Sequence, residues 1–344
     1  MPEGEVDMLS SARDAQFDPL TFLGPGYKKV LAPAKVNLFL GVGSLLPSGY
    51  HEVTNVMHAI TLHDVLYVHL EDHIEEEKAP SHRGWAGHDR AIAVDITISD
   101  KTTRFGERPL EIETEQNLCF KAVDQLACAL ERTESAHISI HIEKNIPAQA
   151  GLGGGSSDAA AVLVCLAQLW GLSPSDEALA QVAAYLGADV AFFLQGGCAL
   201  YGGAGEVFEH ALEPAKTPIV IVKPDTGVST ARAYAAFDAD PAFPSSALVA
   251  EAEKATQASH VPLFNNLAKA SESIVPDLSI VREWLAAQSE ITDPNQVLLC
   301  GSGAATFAFA DSFEDASRIA TRAKQQGWWA RPAALSSLRA AVVG

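Results

Sequence analysis

Residues 146–163, IPAQAGLGGGSSDAAAVL, decide the fold. Just before them, His137-Ile138-Ser139-Ile140-His141-Ile142 alternates polar and apolar side chains with the period of two that marks a strand. From Ala159 to Leu169 the chain is rich in Ala, Leu and Val and lacks Gly and Pro, so a helix is expected there. Between the two lie Gly151, Gly153, Gly154 and Gly155, then Ser156, Ser157 and Asp158. A glycine loop that runs into a helix start turns several backbone N–H groups toward one point. The helix dipole adds positive potential there, and the result suits a phosphate. The plainer alternative is a flexible turn with a Ser or Asp cap. Three consecutive Gly, two Ser and an alanine-rich helix together favour the phosphate. The loop is not of the Walker type, because no G-K-[ST] follows it, and it does not occupy the usual place of the dinucleotide fingerprint.

Working outward, the run from Val30, VLAPAKVNLFLGVGS, alternates as a strand. Ala34, Val36, Leu38 and Leu40 should face one way and Lys35, Asn37 and Phe39 the other. Pro47-Ser48-Gly49 is a turn, followed by Tyr50-His51-Glu52. Asp64 to Leu70 is a further strand candidate. Residues 71–109 promise surface strands and a long loop. Asn117 to Glu131 is an amphipathic helix. Ser173 should cap the next helix, with Pro174 at its first position and Asp176 closing a capping box, and the helix should stop at Gly187. Asp189 follows directly. A second unit then begins, with strands at 219–223, 296–299 and 306–309, helices at 230–236, 246–258, 266–289 (interrupted near Pro276) and 314–326, and a tight turn at Cys300-Gly301-Ser302-Gly303. Segments 328–333 and 338–343 should close its sheet. The expected division is a disordered or loosely packed leader at 1–27, one unit at 28–203 and a second at 204–344.

The 344 residues allow about two domains. Forty-three acidic against 24 basic side chains leave a net charge of −19, which argues against nucleic acid or an anionic membrane as partner. The five Cys form no C-x-x-C pair and read as reduced, buried thiols of a cytoplasmic protein. The acidic N-terminus does not resemble a secretory signal, and no apolar run is long enough to span a membrane. His69, His73, His82 and His88 match no standard metal-site spacing.

Four features call for one explanation: the glycine loop, Lys35 with Asn37, Asp189, and the Gly301-Ser302-Gly303 turn. Phosphoryl transfer relies on positioning and charge. It uses a phosphate cradle, a cation on the transferred group and often a carboxylate near the attacking hydroxyl. Each residue has an ordinary alternative: Asp189 as a helix cap, Lys35 as a lysine snorkelling from a strand edge, the glycines as a turn. Their co-occurrence favours the shared chemistry.

The chain resembles the GHMP small-molecule kinases, whose three motifs stand here as Pro33-Ala34-Lys35-Val36-Asn37, as Pro147 to Ala161, and as Leu298 to Ala304. Within that superfamily, APAKVNLFL, Gly49-Tyr50-His51, GLGGGSSDAA and LGADVAFFL are similar to the branch acting on a diphosphocytidyl methylerythritol in the non-mevalonate isoprenoid route. The resemblance spans roughly residues 28 to 343. It implies an α+β, two-domain fold, each domain a mostly antiparallel sheet packed with helices, with the active site in the cleft between them. It also implies direct transfer from ATP to a 2-hydroxyl. On this likeness Lys35 and Asp189 are the catalytic pair. Pro147, Ala148, Gln149, Ala150, Gly151, Leu152, Gly153, Gly154, Gly155, Ser156 and Ser157 bind ATP. Asn37, Tyr50, His51, Tyr234, Gly301, Ser302 and Gly303 contact the substrate. His51 would meet the cytosine edge while Tyr50 or Tyr234 stacks on the ring. Ser157 is the one candidate ligand for Mg²⁺, which the nucleotide itself would largely hold. A monomer or weak homodimer is implied. The chain departs from the family pattern at Gly41, where a His or aromatic is usual, and at Ser48, where Asp is usual. The alternatives are a related kinase of mevalonate, homoserine or a sugar, which the Tyr50-His51 turn opposes, and a non-catalytic nucleotide-binding regulator, which the presence of both Lys35 and Asp189 opposes.

Overall fold

Strand β1 (Lys28–Leu45) is buried on both faces, with every residue from Ala32 to Val42 shielded from solvent. The computed structural model describes residues 18–72, 92–102, 114–132 and 134–343. Readings that fall on 1–17, 73–91 and 103–113, including His73, His82 and His88, lie outside these described residues. The end of the expected leader forms a short helix, α1 (Pro19–Leu23), whose Asp18 cap accepts from Leu20 N–H.

Two sheets organise the chain. The first has the order β12-β1-β2-β4-β3, with β2 spanning His51–Asp72, β3 Ile92–Asp100, β4 Ala136–Lys144 and β12 Ala341–Val342. Strand β5 (Cys198–Gly202) pairs with β2 over Asn55–His58 and with β6 (Val207–Leu212). The two-residue strand β8 (Phe264–Asn265) adds to β1. The second sheet, order β11-β7-β10-β9, is antiparallel throughout: β7 Pro218–Lys223, β9 Val297–Leu299, β10 Thr306–Phe309 and β11 Trp329–Ala334.

Apolar side chains set the layering. Helices α2 (Leu118–Ala129), α3 (Gly154–Leu169), α4 (Glu177–Leu186) and α5 (Ala188–Gln195) bury one core against the first sheet. A second core lies between the sheets, where Val36, Leu38 and Ile60 meet Ile219, Ile221 and Phe307. Helices α9 (Asp277–Ala286) and α10 (Phe313–Gln325) cover the outer face of the second sheet. Helices α6 (Thr230–Ala239) and α8 (Ala268–Ile274) pack with the far end of β1. Helix α7 (Ser246–Lys254) completes the set. Four of the five Cys are buried, and burial pushes the Cys165, Cys198 and Cys300 thiols up to about 12.

Several expectations change. Pairing of β1 with β2 is irregular between Pro33 and Lys35 and again between Asn37 and Phe39. Pro33 has no N–H to give the ladder. Even-numbered residues pass there from the helix-side core (Val30, Ala32) to the inter-sheet core (Ala34, Val36, Leu38). After the second irregularity Phe39 joins that inter-sheet core and does not share a face with Lys35 and Asn37. The helix after the glycine loop starts at Gly154, five residues before the expected position. Asp176, not Ser173, caps α4, its carboxylate accepting from Ala178 N–H at 3.0 Å; Ser173 Oγ instead accepts from Ser175 N–H. Residues 203/204, read as the unit boundary, fall in the hairpin between β5 and β6 of one sheet. The closing segment 338–343 returns to the first sheet as β12 rather than closing the second.

His58 joins the two sheets' connecting segment to β2. The fully buried imidazole donates from Nδ1 to Ala59 O at 2.7 Å and accepts from Ala215 N–H at Nε2 at 3.0 Å, an arrangement that needs the neutral ring. Burial pushes its pKa from 6.5 down to about 4. Between those values the unfolded chain holds a proton that the fold refuses. Stability is therefore full above pH 6.5 and falls as pH drops toward 4, by about 3 kcal/mol from this group. Guanidinium unfolding between pH 7 and 4 checks this. His58→Gln should be less stable at pH 7 yet lose less stability than wild type on acidification.

Candidate active site

The glycine loop is shaped by contacts as well as by conformation. Gly151 and Gly153 both adopt left-handed φ values, 74° and 73°. A Cβ on Gly151 would lie 1.8 Å from Cys300 O, and one on Gly153 would lie 2.8 Å from the Phe193 ring and 3.3 Å from Lys35 Cγ. Gly153 is the N-cap of α3 and supplies no side-chain cap, so no capping side chain accepts from the first-turn N–H groups at Gly154, Gly155 and Ser156. Packing, not propensity, starts this helix at two glycines.

The turn of the second unit docks on the same loop. Ala304 N–H donates to Gln149 O at 2.9 Å and Ala305 N–H to Ala150 O at 3.0 Å. Asn265 Nδ2 donates to Leu299 O and Gly301 O, holding the turn from β8. Gly301 is thereby brought beside Asn37 and Lys35: a Cβ there would stand 3.5 Å from Asn37 Oδ1 and 3.6 Å from Lys35 Nζ. Buried Ser302 exchanges a hydrogen bond with Thr230 at 2.9 Å, and Gly303 packs near Val228.

Lys35 is 4% exposed. Its N–H donates to Leu152 O, and its Nζ donates to Asn37 Oδ1 at 3.0 Å. Asn37 Nδ2 in turn donates to Asn55 Oδ1 at 2.8 Å. Asp189 does not cap α5; Gly187 does, and Asp189 sits in the first turn with Oδ2 3.7 Å from Lys35 Nζ. That separation is an ion pair without a hydrogen bond. Burial raises the Tyr201 and Tyr234 hydroxyls, and the nearby Asp189 charge adds to the rise.

Tyr234 also stacks obliquely on His51, ring centroids 5.6 Å apart, while Tyr50 is 69% exposed. Of the two rings expected to stack on the substrate, Tyr234 is the one placed against His51. Both nitrogens of His51 are engaged, Nδ1 with Gly43 O and Nε2 with Asp238 Oδ1, each at 2.8 Å. Gly41 leaves the room that the Phe39 ring takes; a Cβ would meet that ring at 2.7 Å. On the other side of the glycine loop opens a cavity of about 490 Å³, lined by the loop with Ile98, Thr102, Asn117, Leu118, Ile142 and Lys144. Apolar side chains with a few polar groups suit a nucleobase. Asn55, Asp238 and Asn265 have no motif in the sequence; only the strand register and the meeting of the two units reveal them.

Residues 117–197 match the family of GHMP kinases N terminal domains. A protein of Desulfitobacterium hafniense (strain Y51) named 4-diphosphocytidyl-2-C-methyl-D-erythritol kinase is 35% identical over 85% of this chain and 90% of its own length. A Bacillus subtilis (strain 168) protein of the same name is 33% identical over 84% and 90%. The chain belongs to this kinase family. A crystal structure of 4-(cytidine 5'-diphospho)-2C-methyl-D-erythritol kinase aligns at 29% identity with a TM-score of 0.67, covering 90% of this chain and 99% of that one. A homoserine kinase of Cytophaga hutchinsonii, 18% identical with a TM-score of 0.60, shares the fold. Among the described residues no helix is long and apolar enough to cross a membrane.

The docking of Cys300 O on Gly151 makes that glycine sensitive. Gly151→Ala should destabilise the protein by about 3 kcal/mol, through a close contact and a strained φ together. Urea unfolding measures the loss, and the KM for ATP should rise at least about tenfold in the folded fraction.

Proposed function

We infer that the protein is an ATP-dependent kinase that phosphorylates the 2-hydroxyl of 4-diphosphocytidyl-2-C-methyl-D-erythritol, a step of the non-mevalonate route to isoprenoid precursors. The names of its relatives supply the substrate. The observation that carries the chemistry is Lys35 Nζ lying 3.7 Å from Asp189 Oδ2 beside the phosphate loop. A hydroxyl oxygen can sit within hydrogen-bond reach of both groups.

In this reading the triphosphate lies over Gly151 to Ser157, met by the free first-turn N–H groups of α3, and the base enters the cavity beside Ile98 and Leu118. The acceptor hydroxyl binds between Lys35 and Asp189. Asp189 orients it and takes its proton, while the Lys35 ammonium stabilises the oxyanion and the transferring group. Asn37, fixed by Asn55, holds the Lys35 head in place. The oxygen attacks the γ-phosphorus in line and the bond to the bridging oxygen of ADP breaks. Tyr234 and His51 receive the cytosine end, and Tyr50 remains at the mouth. Gly301, Ser302 and Gly303 line the substrate side of the loop. Ser157 Oγ is buried with no hydrogen-bond partner among the described residues, a donor that fits Mg²⁺ or a phosphate. When bound, Mg²⁺ would neutralise charge on the nucleotide's phosphates. The reading carries a cytoplasmic location, a monomer or weak homodimer, and no nucleic-acid partner for a chain of charge −19.

A coupled ADP-release assay tests the substrate. Turnover with the diphosphocytidyl methylerythritol should far exceed that with mevalonate or homoserine; the reverse order would refute the assignment. Asp189→Asn should lower kcat by about 10²-fold or more while leaving the KM for ATP nearly unchanged, and near-normal turnover in that variant would remove its role.

A further inference from the structure

Lys144 ends β4 and Asp158 lies in the opening turns of α3, so the two bracket the phosphate loop in sequence. Their side chains meet, Lys144 Nζ donating to Asp158 Oδ2 at 2.6 Å. The same ammonium donates to Asp64 Oδ2. Asp64 comes from β2 and is fully buried. Its other oxygen accepts the backbone N–H groups of Asn145 and of Ile146, the latter at 2.8 Å, and Asn145 Nδ2 donates to His63 O at 3.1 Å. One lysine therefore ties the loop's entry at 144–146 and its exit at 158 to the same point on β2.

The location of this charge cluster is not where folding alone would put it. Lys144 Nζ lies 3.3 Å from the place a Cβ of Gly154 would take, beside the N-terminal end of α3, where the helix dipole disfavours a cation. Two carboxylates hold it there. An apolar cluster of the same volume would pack this spot without the desolvation of three charges. Burial alone would lower the Lys144 pKa, and the Asp158 and Asp64 carboxylates more than reverse that, so the ammonium keeps its charge, while burial, opposed by Lys144 and helped by Asp64, pushes the Asp158 carboxyl up. Lys144 and Asp158 also line the cavity beside the loop, and Asp158 Oδ1 is buried there with no hydrogen-bond partner among the described residues.

We propose that Asp64, Lys144 and Asp158 form a clasp that sets the width of the phosphate loop and so aims its N–H groups at the nucleotide. The proposal rests on the reading of the loop as the ATP phosphate site. The three are positioning residues and touch no reacting atom. A loosened clasp weakens ATP binding and spares the acceptor, because Lys35 lies on β1, Asp189 on α5, and His51 at the opposite end of β2 from Asp64's loop contacts, set against Asp238 and Tyr234 of α6.

Steady-state kinetics with each substrate varied, on Lys144→Met, Lys144→Arg, Asp158→Asn and the charge-free triple variant Asp64→Asn/Lys144→Met/Asp158→Asn, test it. Lys144→Met should raise the KM for ATP at least about tenfold and leave the acceptor KM within about twofold. Lys144→Arg should recover most of the loss, because its guanidinium reaches both carboxylates. The triple variant removes the buried charges together, keeps the fold and should retain the raised KM for ATP. Asp158→Asn, nearly isosteric, should show a smaller rise and serves if Lys144→Met does not fold. A folded triple or Asp158→Asn variant with wild-type KM for ATP would overturn the clasp, as would equal rises in both KM values. Hydrogen exchange of the wild type with and without ATP examines the underlying reading separately. No protection of 146–158 would remove the loop assignment, whereas protection combined with unchanged variant KM values would remove only the clasp.

Discussion

Ala304 N–H donating to Gln149 O and Ala305 N–H donating to Ala150 O, at 2.9 and 3.0 Å, join the second unit's turn to the first unit's glycine loop through backbone alone. Most of the cleft follows from that contact. It brings Cys300 O against Gly151, which excludes a side chain there. It carries Gly301 to Lys35 and Asn37. It sets Ser302 opposite Thr230, and so anchors the segment that leads into α6, the helix bearing Tyr234 and Asp238. The glycine loop and the Lys35–Asp189 pair thus share one seam, to which the 300–305 turn contributes.

The charge balance explains why the site is built from backbone. A chain of net charge −19 has little positive surface to offer a polyanion. Two lysines are committed near the loop, each already paired: Lys35 with Asp189 and Asn37, Lys144 with Asp64 and Asp158. The remaining positive potential comes from the uncapped start of α3. Such potential is fixed by geometry and does not depend on flexible side chains, which suits phosphoryl transfer, where placement supplies most of the rate.

The parts of this design carried by short stretches of chain were legible in the sequence. The glycine loop, Lys35 with Asn37, Asp189 after Gly187, and the 301–303 turn each have a local pattern, and the fold assembles all four. What depended on register or on packing between distant segments was not legible. Phe39 changes face because the pairing of β1 with β2 shifts register between Asn37 and Phe39. The start of α3 at Gly154 opposes glycine's helix propensity and is imposed by neighbours. Asn55 reaches Asn37 across strands, Asp238 reaches His51 across units, and β12 crosses back to the first sheet. None of these is written in any short window of the chain.

The central claim is that ATP and the acceptor meet across the seam, with the phosphates on the loop and the hydroxyl between Lys35 and Asp189. A crystal structure of the ternary complex with a non-hydrolysable ATP analogue and the diphosphocytidyl methylerythritol tests it most directly. The account predicts the triphosphate over Gly151 to Ser157 and the 2-hydroxyl within hydrogen-bond distance of both Lys35 Nζ and an Asp189 carboxylate oxygen. A triphosphate bound elsewhere, or an acceptor hydroxyl out of reach of both side chains, would contradict it.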